Sequence, residues 1–240
     1  MGIDKIQLSM AGPSNRLAPK VGAGAGGSPT EVFRKSFGEP IPKLVDISNS
    51  PFLQALFSQQ GVLGRIRRKL VLLSGKKGRF VPAKGTVASA LSASEETQGE
   101  DLVFVGVEFL AENHTKEDLL AGILAHEWGH LVSEFPHGMD PDQLTWEEIF
   151  TLRKEEEAAA DGYAGKMLYR MNNNPEALIQ FFLDPKNQKE STKYHPAPTR
   201  VAIIRAGYQG AKQLTHQARR LIHPGAVYHN PITSQLIAVI

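Results

Sequence analysis

The apolar positions of this chain follow one rhythm in its first half and another in its second. Early on they come in short runs broken by Gly, Pro and Ser. Asn49 or Ser50 can cap a helix through the run PFLQALFSQQ. A short helix over residues 30–37, stopped by Gly38, is also expected. The stretch VLGRIRRKLVLL fits helix or strand, and its Arg65, Arg67, Arg68 and Lys69 read as a solvated helix face rather than a dedicated basic patch. Phe80-Val81 and Thr86-Val87-Ala88 predict short strands. Residues 101–110 (DLVFVGVEFL) predict the clearest one, with Val103, Val105, Val107 and Phe109 at period two. Gly106 within it marks a bulge or a close backbone approach.

From Thr115 onward the period lengthens to that of a helix, almost to the end of the chain. Thr115-x-x-Asp118 reads as a capping box ahead of Leu119, Leu120, Ile123, Leu124, Leu131 and Val132, an amphipathic helix that Pro136 terminates. Thr145-x-x-Glu148 opens a second, longer helix running toward Asn172. A few strands followed by a run of helices predicts an α+β, mostly helical fold.

Composition narrows the class. A chain of 240 residues suits one domain with a proper core. Residues 1–29, rich in Gly, Ser, Pro and Ala, bury too little to offset their ordering entropy and are expected to be a flexible N-terminal tail, with a propeptide or an export signal as the alternative. Residues 30–240 then form the single domain. A net charge of +2 and a sequence pI of about 8.7 are too balanced to imply a nucleic-acid partner. The absence of cysteine excludes disulfides, thiolate metal sites and a Cys-borne lipid anchor, so any zinc must be held by His and carboxylates. No apolar run reaches the roughly 18–20 residues that span a bilayer. The N-terminus also lacks the apolar core of a secretory signal. The expectation is a soluble chain without a transmembrane segment, cytoplasmic by default.

The chemistry-bearing motif is His126-Glu127-Trp128-Gly129-His130. Residues four apart share a helix face, so His126 and His130 can aim two imidazoles at one metal ion, with Glu127 beside them as a general base. Gly129 leaves room for another element to pack closely. A catalytic zinc needs a third protein ligand and an open position for water. Glu155-Glu156-Glu157 on the next long helix offers carboxylates; taken alone, such a run is a solvated acidic face. The three lie about 100° apart around a helix, so only one can face the metal well. Asp161 selects Glu157, its i−4 neighbour, which leaves Glu155 and Glu156 as bystanders. Ala158, Ala159, Ala160 and Ala164 keep the surroundings slim enough for two helices to approach.

These residues, with Tyr194-His195-Pro196-Ala197-Pro198-Thr199-Arg200 downstream, resemble the gluzincin metallopeptidases of the prenyl-protein endopeptidase and heat-shock-protease (HtpX) type. The likeness covers roughly residues 87–205. It implies a zincin-like fold and a zinc endopeptidase acting on a protein or peptide substrate. His126, His130 and Glu157 would be the zinc ligands and Glu127 the catalytic base. Asp161 would hydrogen-bond a ligand imidazole from the second shell. His195 and Arg200 would lie near the cleft, His195 steadying the developing oxyanion or merely opening the following helix at Ala197. The resemblance also implies that substrate pairs with residues 102–109 as a sheet edge, although the sequence alone fits a central strand equally well. Ala88-Ser89-Ala90 stands where relatives carry Asn-Ala-Phe. Two other readings compete: a non-catalytic zinc-holding interaction domain, which has no need of Glu127, and a narrowly targeted exported protease effector. His114, His137, His216, His223 and His229 have no motif context.

Overall fold

The computed structural model describes residues 40–94, 96–133, 144–188, 192–221, 227–229 and 236–238. The tail of residues 1–29, the helix expected over residues 30–37, Pro136 and His137 lie outside them. The fold is α+β and mostly helical. Its elements are α1 (Pro51–Phe57), α2 (Val62–Ser74), β1 (Arg79–Ala83), β2 (Ala88–Leu91), β3 (Leu102–Gly106), α3 (Val107–Asn113), α4 (Glu117–Leu131), α5 (Trp146–Arg170), α6 (Glu176–Leu183) and α7 (Ala197–Leu221). Two short strands, β4 (Val227–His229) and β5 (Leu236–Ala238), pair antiparallel, so the late part of the chain is not wholly helical as its pattern suggested. Among the described residues no helix is long and apolar enough to cross a membrane.

The main sheet has the order β1-β3-β2, with β1 parallel and β2 antiparallel to β3. The expected strand at residues 101–110 is therefore central rather than an edge, which removes it as a surface for pairing with substrate. It also stops at Gly106. There the chain packs so tightly on the preceding loop that a Cβ would sit 2.0 Å from the Gly85 carbonyl oxygen, the close approach the glycine implied. The next residues turn into α3, because Val107, Phe109 and Leu110 satisfy a helical face as well as a strand face. Val103 and Val105 face the helices, while Phe104 packs on the other face with Val81, Ala83 and Leu91. The outer side of β1 is bridged by Leu44, leaving β2 as the free edge among the described residues.

Helix α4 runs through the middle of the core. Every residue from Leu119 to Leu131 is buried except Glu127. The helix is thus enclosed by neighbours on nearly all sides rather than amphipathic. The Thr115 capping box does not form: Lys116 is the N-cap, and the Asp118 carboxylate instead accepts hydrogen bonds from the Asn173 side chain (2.7 Å) and the Asn174 backbone (3.2 Å). Trp128, fully buried, donates its indole N–H to Ser74 Oγ at 3.0 Å and meets Phe80 edge-on. The capping box at Thr145 and Glu148 does form and starts α5, whose end is followed by Asn172 in the left-handed region (φ 61°).

Candidate metal centre

Three helices converge on the motif. Helices α4 and α5 touch at Gly129, where an added Cβ would lie 3.0 Å from Ala160 Cα. Helices α5 and α7 close through glycines as well: a Cβ on Gly165 would meet the Ile204 carbonyl oxygen at 2.1 Å, and one on Gly207 the Gly162 carbonyl oxygen at 2.2 Å. These contacts bring carboxylates of α5 against the α4 histidines, and Arg200 of α7 against Asp161.

The two imidazoles turn the same way. His126 Nε2 lies 3.2 Å from Glu157 Oε2, and His130 Nε2 lies 3.6 Å from Glu157 Oε1. Ligand atoms of His126, His130 and Glu157 all fall within 4.8 Å of one another, in a buried group that can hold a metal ion. Glu157 Oε2 is buried and has no hydrogen-bond partner, so an oxygen stripped of water faces His126 Nε2, while Oε1 faces His130 Nε2. Leaving such an atom unpaired is costly, and a cation is what this donor set fits. Two imidazoles and one carboxylate, with no sulfur, match the ligand set of catalytic zinc sites.

The opposite ring nitrogens face other carboxylates. His126 Nδ1 is 2.9 Å from Asp161 Oδ1. Asp161 in turn accepts a two-pronged contact from Arg200, Nε to Oδ2 at 2.7 Å and Nη2 to Oδ1 at 2.8 Å. Arg200 therefore reaches the centre through Asp161, with its guanidinium 3.9 Å above the Phe182 ring and 4.9 Å from the Tyr194 ring. His195 is half-buried in the segment before α7, and among the described residues no hydrogen bond or ion pair joins it to the cluster. Glu127 is half-exposed beside the buried group.

Three residues belong to this neighbourhood that sequence reasoning missed. Glu156 is 1% exposed, as buried as Glu157, and its Oε1 lies 3.6 Å from His130 Nδ1. The reading of Glu156 as part of a solvated acidic face is thus corrected, while the metal-holding group still takes Glu157; only Glu155 is exposed. Arg153 pairs with both neighbours, Nη1 to Glu156 Oε2 at 2.9 Å and Nη2 to Glu157 Oε1 at 2.5 Å. The i+3 and i+4 spacing from Arg153 was the available signal. Tyr194 is the third: the Glu157 carboxylate and burial together push its phenol well above the usual range, which keeps the hydroxyl protonated.

The electrostatics of the side chains themselves follow from this packing. Burial alone would lower the His126 pKa, but the Asp161 and Glu157 carboxylates reverse that and push it up to about 10. Burial would raise Glu157 and Asp161. Arg153 and the histidines outweigh it at Glu157, Arg200 and His126 outweigh it at Asp161, and both carboxyls stay below the usual carboxylate range. A scan of known protein families and a search of curated proteins found no match to this chain.

Proposed function

We propose that this chain is a zinc-dependent endopeptidase with a zincin-like, gluzincin-type active site. The observation that carries the reading is the exposure pattern of α4: between Leu119 and Leu131, Glu127 is the one residue that is not buried, and it stands beside a buried His-His-Glu group. A site that only held the fold together would have no use for a carboxylate there, and an apolar residue would sit in this helix at lower cost.

His126, His130 and Glu157 would hold the ion. A zinc bound there supplies Lewis acidity, polarising a carbonyl and acidifying a water. Glu127 accepts the proton of the attacking water and returns it to the leaving amine, the work of a general base and then a general acid. Tyr194, kept protonated, has an O–H to donate, which suits a carbonyl oxygen gaining negative charge. The Tyr194 hydroxyl takes that role in preference to His195, which lacks a link to the cluster. An extended peptide would pair its main chain with β2, the free edge packed against α4. Metal analysis of the purified protein, coupled to hydrolysis of a peptide library before and after chelation, tests the reading. One zinc per chain and a chelator-sensitive activity restored by zinc are the expected results; activity that survives removal of all metal would refute it.

A further inference from the structure

The centre is supported from two sides in the same manner. On one side an arginine (Arg200) grips a carboxylate (Asp161) that faces His126 Nδ1. On the other an arginine (Arg153) grips a carboxylate (Glu156) that faces His130 Nδ1. Both carboxylates are 1% exposed, and the two arginine side chains are 11% and 12% exposed. Burying a carboxylate is expensive unless it is paired, so neither is there by default. The second support differs in two respects. Its carboxylate stands further from the ring, 3.6 Å against 2.9 Å. Its arginine also binds Glu157 Oε1, leaving Oε2 toward His126.

We propose that Arg153 and Glu156 are positioning residues for the metal centre: Glu156 orients His130 through Nδ1, and Arg153 holds both Glu156 and Glu157, so that Glu157 offers one oxygen to the ion. This deepens the metal-centre reading and rests on it. A carboxylate behind a ligand imidazole selects the ring tautomer and aims the other nitrogen at the metal. Arg153 suits the task because its rigid fork presents Nη1 and Nη2 to two adjacent carboxylates in fixed geometry, whereas a lysine ammonium is a single point charge.

The test uses the full chain loaded with zinc, with histidine ring nitrogens labelled for magnetic resonance and the zinc dissociation constant measured by chelator competition. In the parent, His126 and His130 each show a slowly exchanging Nδ1–H. In Glu156→Gln the His130 N–H resonance moves upfield while that of His126 stays, and the dissociation constant rises about 10–100-fold. Asp161→Asn gives the mirror result at His126. Arg153→Lys keeps the charge and shifts the same His130 resonance. Should Glu156→Gln fail to fold, Glu156→Asp carries the test, because the shorter side chain keeps its charge but withdraws from His130. A parent with one zinc per chain, and a folded Glu156 variant with unchanged His130 resonance and dissociation constant, overturns the inference and leaves the metal centre standing. A parent that takes up no zinc overturns the metal centre itself.

Discussion

Gly129 and Ala160 set the distance between the two helices that carry the His126-His130-Glu157 group: a Cβ on Gly129 would lie 3.0 Å from Ala160 Cα and 3.3 Å from Ala160 Cβ. Gly129 follows His126 and precedes His130, and Ala160 is almost one turn beyond Glu157. In Gly129→Ala the helix-propensity gain of about 1 kcal/mol opposes an overpacking cost of about 1–3 kcal/mol. The melting temperature should therefore fall by only a few degrees. The few tenths of an ångström by which α5 must yield act directly on the ligand set, where tolerance is about 0.5 Å. Zinc affinity should drop at least about tenfold. Equal affinity in Gly129→Ala and the parent would show that this contact does not set the site.

The three consecutive glutamates separate by exposure. Glu157→Gln should weaken zinc binding by orders of magnitude, because the ligand oxygen loses its charge and Arg153 loses a partner. Glu155→Gln, at an exposed position, should match the parent. Equilibrium dialysis against a metal buffer measures both; a zinc-replete Glu157→Gln would mean that another residue is the third ligand.

With the His126 pKa pushed up to about 10 when metal is absent, a proton occupies the site at neutral pH. Zinc must displace it, so binding at pH 7.5 should release about one proton per ion, and affinity should rise about tenfold per pH unit toward pH 10. Stability of the metal-free protein runs the other way. A group raised from about 6.5 in the unfolded chain stabilises fully below that value and ceases to do so as pH rises through its folded pKa. The metal-free protein should thus lose stability between about pH 6.5 and 10. Calorimetry in buffers of different ionisation enthalpy counts the protons, and a count near zero would contradict the charge arrangement described for His126.

Tyr194→Phe should leave the zinc dissociation constant unchanged and lower kcat by about 10–1,000-fold, since in the proposed mechanism the hydroxyl acts on developing charge rather than on the metal. Steady-state kinetics on the zinc-loaded variant decide this. A changed KM with unaltered kcat would assign Tyr194 to substrate binding instead.

Much of this was readable in advance where a residue's local chemistry agrees with its tertiary use. Thr145 and Glu148 cap α5 as their spacing implies, and His126, His130 and Glu157 meet because i, i+4 geometry leaves few alternatives. The run from Val107 to Leu110 was misread because its apolar positions fit both periods, and only the contact of Gly106 with Gly85 decides where β3 ends. Asp118 looked like a capping acid, but Asn173, 55 residues away, takes its carboxylate. Glu156 looked solvated because acidic runs usually are; its burial depends on Arg153 and on the approach of α4, and sequence spacing records only the first. Strands β4 and β5, three residues each, are too short to show a period.

The central claim is that a base, distinct from the ligands, works beside the ion. Glu127→Gln separates the two because Glu127 is the half-exposed member of an otherwise buried stretch and stands outside the ligand group. Zinc content and peptide hydrolysis should be measured on the same preparation of parent and variant. The account predicts one zinc per chain in both and hydrolysis reduced by at least about 100-fold in Glu127→Gln. Comparable hydrolysis in the two would contradict it.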